Sequence, residues 1–285
     1  MYLGTYVRTT AIDNLVHLFL SAEPRIKKQI ISLGAGSDTR FFRLQESRKY
    51  SPDSLVYHEL DFQSNTSSKI STITQVKSLN GCIPAPLEIS MDGGKLHSPS
   101  YHIHPIDLRC PFHSKDPLDP SSEPEPLDHV DVALPTLLIS ECCLIYLEPA
   151  AADAVLNYFT RLLPSTSALG VVLYEPFNPF DSFGRVMVSN LAARGIVLQT
   201  LQKYHSLEVQ KARLRKHGFS GASAMDVDSL WEQTISPEEK ERVAALEMVD
   251  EVEEWRLLAQ HYCVAWGWRS NDDVNWLEWR GLKSQ

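Results

Sequence analysis

Four places in this 285-residue chain carry residue types and spacings suited to ligand chemistry. Gly34 and Gly36 form a GxG step straight after the apolar run 29–33. Asp61 follows a second apolar run, 55–60, and stands 25 residues after Gly36. Asp107 follows a third run and Glu141 a fourth. A strand that turns into a helix through glycines brings its backbone close to a ligand and presents free helix N–H groups to it. A carboxylate ending the second strand suits a ribose with two free hydroxyls. A dinucleotide fingerprint wants a third glycine three residues after the second, and Thr39 stands there instead. GxG without a diphosphate grip, together with a ribose acid, points to S-adenosylmethionine rather than NAD. Each element alone reads as a tight turn or a solvated acid. Two glycines and three carboxylates at four successive strand ends read as a cofactor site.

The elements that must place these residues alternate. An amphipathic helix opens the chain, with Ile12, Leu15, Val16, Phe19 and Leu20 on one stripe. Strand 29–33, a helix near 39–48 and strand 55–60 follow, then a weakly amphipathic helix through Ile70, Ile73 and Val76. A strand is expected at 101–106, and a mobile surface loop rich in Pro, Ser and acids at 111–129. Strand 136–140, apolar on both faces, precedes a helix started by Pro149 and carrying Val155, Tyr158, Phe159, Leu162 and Leu163. Strand 169–174 leads into a mostly helical stretch reaching Gly218. A longer helix is expected behind the capping box Ser236-Pro237-Glu238-Glu239, turning Val243, Leu246, Val252, Trp255 and Ala259 inward. A last strand at 261–269 is expected to close the sheet. The pattern predicts one α/β domain over 1–285, a doubly wound, mostly parallel sheet with helical additions at 176–260 on the substrate side.

Composition narrows the partners. A formal net charge of −9 argues against nucleic acid, whose phosphates need a basic face. No apolar stretch has the length of a membrane span, and a signal peptide is not expected. Five cysteines with no CxxC pair fit a reducing compartment, and the protein is expected to be cytoplasmic and monomeric. The adjacent Cys142 and Cys143 read as buried core. Asp13, His58, His97, His102 and His104 read as structural, since their spacing matches no metal pattern.

Six segments together resemble the leucine carboxyl methyltransferases: GTYVRT (4–9), LGAGSDTRFFRL (33–44), ELDF (59–62), DLR (107–109), SECCLIYLEP (140–149) and QHYCVAWGW (260–268). The resemblance implies the S-adenosylmethionine-dependent, Rossmann-like fold and methyl esterification of the C-terminal leucine carboxylate of the type 2A protein phosphatase catalytic subunit. It implies that Arg8 takes the cofactor carboxylate, Gly34 and Gly36 the methionine moiety, and Asp61 the ribose. Asp107 and Leu108 would hold the adenine, and Glu141 the methionine amino group. Arg8 and Tyr146 would act at the transfer itself, Tyr146 facing the reacting carboxylate. No metal is implied. The family has some tens of residues before its GTYVR segment, so a missing N-terminal piece is expected. Two alternatives remain at this stage: a tRNA wybutosine-pathway paralogue, disfavoured by the acidic charge, and a non-catalytic module that binds the phosphatase or the cofactor.

Overall fold

The computed structural model describes residues 2–110, 124–246, 252–269, 277–280 and 282. The first helix, α1 (Tyr2–Ser21), buries Ile12, Leu15, Val16 and Phe19 almost completely, each worth about 1.5–3 kcal/mol. Its end is fixed by Lys28, whose ammonium donates to the Leu20 carbonyl at 2.9 Å and to the Ala22 carbonyl. Lys28 also begins β1 (Lys28–Leu33), so this contact sets how α1 lies on the sheet. After it come α2 (Arg40–Ser47), β2 (Leu55–Asp61), α3 (Gln63–Gln75) and α4 (Lys77–Asn80). Two short strands the sequence does not announce, β3 (Glu88–Ile89) and β4 (Leu96–His97), precede β5 (Tyr101–Pro105). The next elements are β6 (Thr136–Glu141), α5 (Pro149–Leu162), β7 (Leu169–Pro176), α6 (Ser182–Ala193) and α7 (Leu207–Lys216). The remainder is β8 (Gly221–Asp226), α8 (Val227–Thr234), α9 (Pro237–Leu246), α10 (Val252–Ala259) and β9 (Tyr262–Arg269).

The strands form one sheet in the order β3-β4-β5-β2-β1-β6-β7-β9-β8. Its centre, β5 to β7, is parallel, and both ends are antiparallel. The central strands are buried on both faces. On one, Ile30, Tyr57, Leu137 and Val172 pack with α1 and Phe41; on the other, Ile31, Leu60, Leu138 and Val171 pack with α5. From β1 the chain winds outward through β2 and β5, then returns to lay β6 against the other side of β1. The loops after β1 and β6 therefore diverge at a switch point, where such sheets bind ligands.

Several expectations need correcting. β9 does not close the sheet, because β8 lies outside it, inside the stretch read as helical. Leu246 and Val252 do not turn inward: they are 73% and 47% exposed, and of the five residues named only Ala259 is buried. The Ser236 hydroxyl does cap α9 by accepting from Glu239 N at 3.3 Å, but the Glu239 carboxylate binds Tyr6 at 2.5 Å and Arg242 instead of closing the box. Most of the loop expected at 111–129 lies outside the described residues.

Candidate active site

At the end of β1 the chain needs a tight turn, and Gly34 and Gly36 supply it with φ of +63° and +48°. The Gly34 amide donates to the Leu60 carbonyl at 2.8 Å. A Cβ on Gly34 would stand 2.5 Å from Cys143 Sγ, so the loops after β1 and β6 touch here. Asp61, ending β2, accepts from the Gly36 amide at 2.7 Å through Oδ2, and from Phe62 N and Asn65 Nδ2 at 2.7 and 2.8 Å through Oδ1. The glycine turn and the second-strand acid form one unit.

Two cavities meet at Gly34 and Gly36. One, of about 400 Å³, is polar and is lined among others by Arg8, Asp38, Arg40, Arg43 and Glu141. The other, of about 420 Å³, runs past Asp61, Phe62 and Asn65 to the apolar Ile106, Leu108 and Leu147, with Cys143 and Tyr146 at its side. Arg109 borders it too, its guanidinium 5.0 Å over the Phe62 ring.

The polar cavity is organised by a residue the sequence does not single out. Arg40 is 2% exposed and donates to three carboxylates: Asp13 Oδ1 at 2.8 Å, Asp38 Oδ2 at 2.9 Å and Glu141 Oε1 at 2.8 Å. Burial works against its charge, yet Tyr57, Asp38, Glu141 and Asp13 outweigh it and hold its pKa well above the usual arginine value. Asp38 also accepts from Tyr57 Oη at 3.0 Å, and Asp13 pairs with Arg43. Arg8, from α1, places Nε 3.4 Å from Glu141 Oε2 and its guanidinium 5.3 Å over the Tyr174 ring. That nitrogen is buried and, among the described residues, makes no hydrogen bond. Arg8, Arg40 and Arg43 thus balance Asp13, Asp38 and Glu141, a set suited to a zwitterion.

Of the residues expected from sequence, the fold brings Arg8, Gly34, Gly36, Asp61, Leu108, Glu141 and Tyr146 around this pair of cavities. Asp107 is a partial exception. Its carboxylate is held by Arg109, with Nε 2.9 Å from Oδ1 and Nη2 2.7 Å from Oδ2, and those bonds keep its pKa below the usual carboxylate range. The neighbouring Leu108 and Arg109, not Asp107, line the apolar cavity. Cys142 and Cys143 are not plain core: both are partly exposed, Cys142 holds φ +48° directly after Glu141, and Cys143 borders the apolar cavity. Burial pushes both thiols up to about 12, so neither is a thiolate nucleophile at neutral pH. Asp13, read as structural, pairs with Arg40 and Arg43 and supports the polar cavity without lining it.

A family model described as leucine carboxyl methyltransferase matches residues 1–160. The Leucine carboxyl methyltransferase 1 of Aspergillus fumigatus is 54% identical over 94% of this chain and 72% of its own length. The chain belongs to the leucine carboxyl methyltransferase family. The corresponding protein of Emericella nidulans is 53% identical, covering 99% of this chain and 77% of its own. Among solved structures, geranyl diphosphate C-methyltransferase from Streptomyces coelicolor A3(2) has a TM-score of 0.50 at 9% identity, covering 92% of this chain and 77% of that one, a likeness of fold alone. This methyltransferase uses S-adenosylmethionine for leucine carboxyl methylation.

The site fits that cofactor. The balanced charges match an amino-acid tail, and Asp61 borders the second cavity. Asp61→Ala is expected to weaken S-adenosylmethionine binding by about 1.5–3 kcal/mol, the worth of hydrogen bonds to a charged group. Calorimetry on the folded variant checks this; unchanged affinity would remove Asp61 from the cofactor site.

Proposed function

We propose that this methyltransferase esterifies the C-terminal leucine carboxylate of the type 2A protein phosphatase catalytic subunit. The observation that carries the site assignment is the meeting of the charge-balanced cavity and the Asp61 cavity at one glycine turn. Arg8 and Glu141 take the carboxylate and amino group of the cofactor's amino-acid tail, Asp61 the ribose hydroxyls, and Leu108 with Ile106 and Leu147 the adenine. The phosphatase as partner is supported by the family resemblance.

The bound cofactor supplies an activated methyl group on a sulfonium, so the difficult chemistry is its own. The protein's work is then placement. A peptide C-terminus, with a pKa near 3.5, is ionised at neutral pH and needs no general base. Tyr146, 43% exposed beside the apolar cavity, has its phenol pKa raised first by burial and then by Cys142 and Cys143. It therefore remains a hydrogen-bond donor at neutral pH, able to orient the incoming carboxylate. Holding the carboxylate beside the bound cofactor would be the protein's contribution to the rate.

Arg8→Ala is expected to lower cofactor affinity, and Arg8→Lys to restore only part of it, because an ammonium cannot reproduce the planar guanidinium. Full restoration by lysine would mean that any positive charge suffices and that the fork plays no part. The function itself is tested by methyl transfer to full-length and tail-truncated phosphatase. Transfer only to the full-length form is expected; equal labelling of both would refute the C-terminal assignment.

A further inference from the structure

Five histidines from four stretches of the chain gather on the sheet face opposite Phe41 and Tyr101. His58 comes from β2, His97 from β4, His102 and His104 from β5, and His129 from the segment leading to β6. Their rings stack or tilt together, with centroids 4.7 Å apart for His58 and His102, 4.4 Å for His97 and His129, and 4.7 Å for His102 and His129. The inner pair is already committed: His58 Nδ1 lies 3.1 Å from His104 Nε2, and His58 Nε2 lies 3.2 Å from Gln29 Oε1.

The outer three are arranged differently. His97 and His102 turn their Nδ1 atoms toward each other at 3.2 Å, and one ring nitrogen from each of His97, His102 and His129 lies within 4.8 Å of the others. Two imidazole nitrogens on a tetrahedral zinc, at about 2.0–2.1 Å from the ion, stand about 3.3 Å apart. A shared proton would also hold the first two nitrogens at such a distance; His129 stacks on His102 with ring planes 11° apart, so its ring turns to bring a nitrogen onto the same ion. His102 is buried, His97 half-buried and His129 exposed, so the cluster has a rigid floor and a solvent side through which an ion can enter.

The geometry points to a second site, in which His97, His102 and His129 bind one late first-row divalent cation, zinc in the first instance, through three imidazole nitrogens. Three neutral nitrogen donors with no thiolate and no carboxylate select zinc, copper(II) or nickel over magnesium or calcium. Solvent completes the coordination. The site is separate from the cofactor cavities: His102 pairs in register with His58, three residues before Asp61, or about 10 Å back along the strand. The ion's role is structural. It fastens the antiparallel β4–β5 edge to the segment that enters β6, the strand bearing Glu141. Because bound metal stabilises only the folded form, its signature is thermal.

The test titrates the metal-free full-length chain with zinc chloride by calorimetry, with magnesium chloride as the comparison. One equivalent of zinc and no magnesium binding are expected, with a raised melting temperature. Replacing one ligand, in His129→Ala or His97→Ala, is expected to weaken zinc by at least about tenfold, the loss caused even by removing an outer partner of a ligand. Both variants, melted without metal, report whether the fold survives; His129 is exposed and its loss leaves the core untouched. His205→Ala, outside the cluster, is expected to bind as the parent does. X-ray absorption at the zinc edge should count three imidazoles. Sub-stoichiometric zinc, or one equivalent bound equally by His129→Ala and His97→Ala, would overturn the site and leave the His97–His102 contact as a shared proton.

Discussion

Arg40→Ala destabilises the protein by about 3–5 kcal/mol, the usual cost of breaking a buried ion pair from one side. The reason is the number of charges it leaves behind. Asp13 from α1, Asp38 from the glycine loop and Glu141 from the end of β6 all lean on one guanidinium that is 2% exposed. Arg43 and Arg8 compensate only in part, since Arg43 reaches Asp13 and Arg8 reaches Glu141. Chemical denaturation of Arg40→Ala and Arg8→Ala side by side gives the comparison. A large loss for Arg40 and a small one for Arg8 is expected. Equal losses would mean that the network is not centred on Arg40.

The second large effect is at Gly34. Gly34→Ala puts a methyl group 2.5 Å from Cys143 Sγ and 2.8 Å from its Cβ, at a φ of +63° that side chains rarely adopt. The loops after β1 and β6 must then separate, and the floor shared by both cavities moves with them. Loss of measurable S-adenosylmethionine binding is expected in a variant that still folds. Cys143→Ala removes the sulfur but leaves the Cβ contact, so the double variant should recover only part of the affinity. Undiminished binding by Gly34→Ala in calorimetry would mean that the cofactor does not rest on this turn.

What the sequence discloses and what it hides follow from different physics. The parallel core is legible because β1, β2, β6 and β7 are short apolar runs, the first three ending at a glycine or an acid. β3 and β4 escape because two residues carry no periodicity. β8 escapes because its residues, GASAMD, lack the branched and aromatic side chains that mark strands. Small residues are needed there: a side chain on Gly221 would run into the Trp268 ring of β9. Arg8 is found by resemblance alone, and Asp61 and Glu141 by resemblance and by their place at strand ends. Arg40 is missed because an arginine opening a helix reads as a surface charge. Its three carboxylates come from positions 13, 38 and 141, and only the fold joins them. The histidines are hidden in the same way, since residues 97, 102 and 129 meet through β4–β5 pairing and a loop rather than through any local motif.

The most direct test of the proposed function compares methyl transfer from labelled S-adenosylmethionine to phosphatase whose C-terminal leucine is free or amidated. An ionised carboxylate is both the nucleophile and the group that the site orients, and an amide carries neither the charge nor the reactivity. From about pH 6 to 9 the free tail stays ionised, so its own titration does not shape the rate. Label on the free tail and none on the amidated one is the predicted result, with cofactor affinity the same in both assays. Labelling of the amidated phosphatase at the normal rate would contradict the account, because the acceptor would then be some other group.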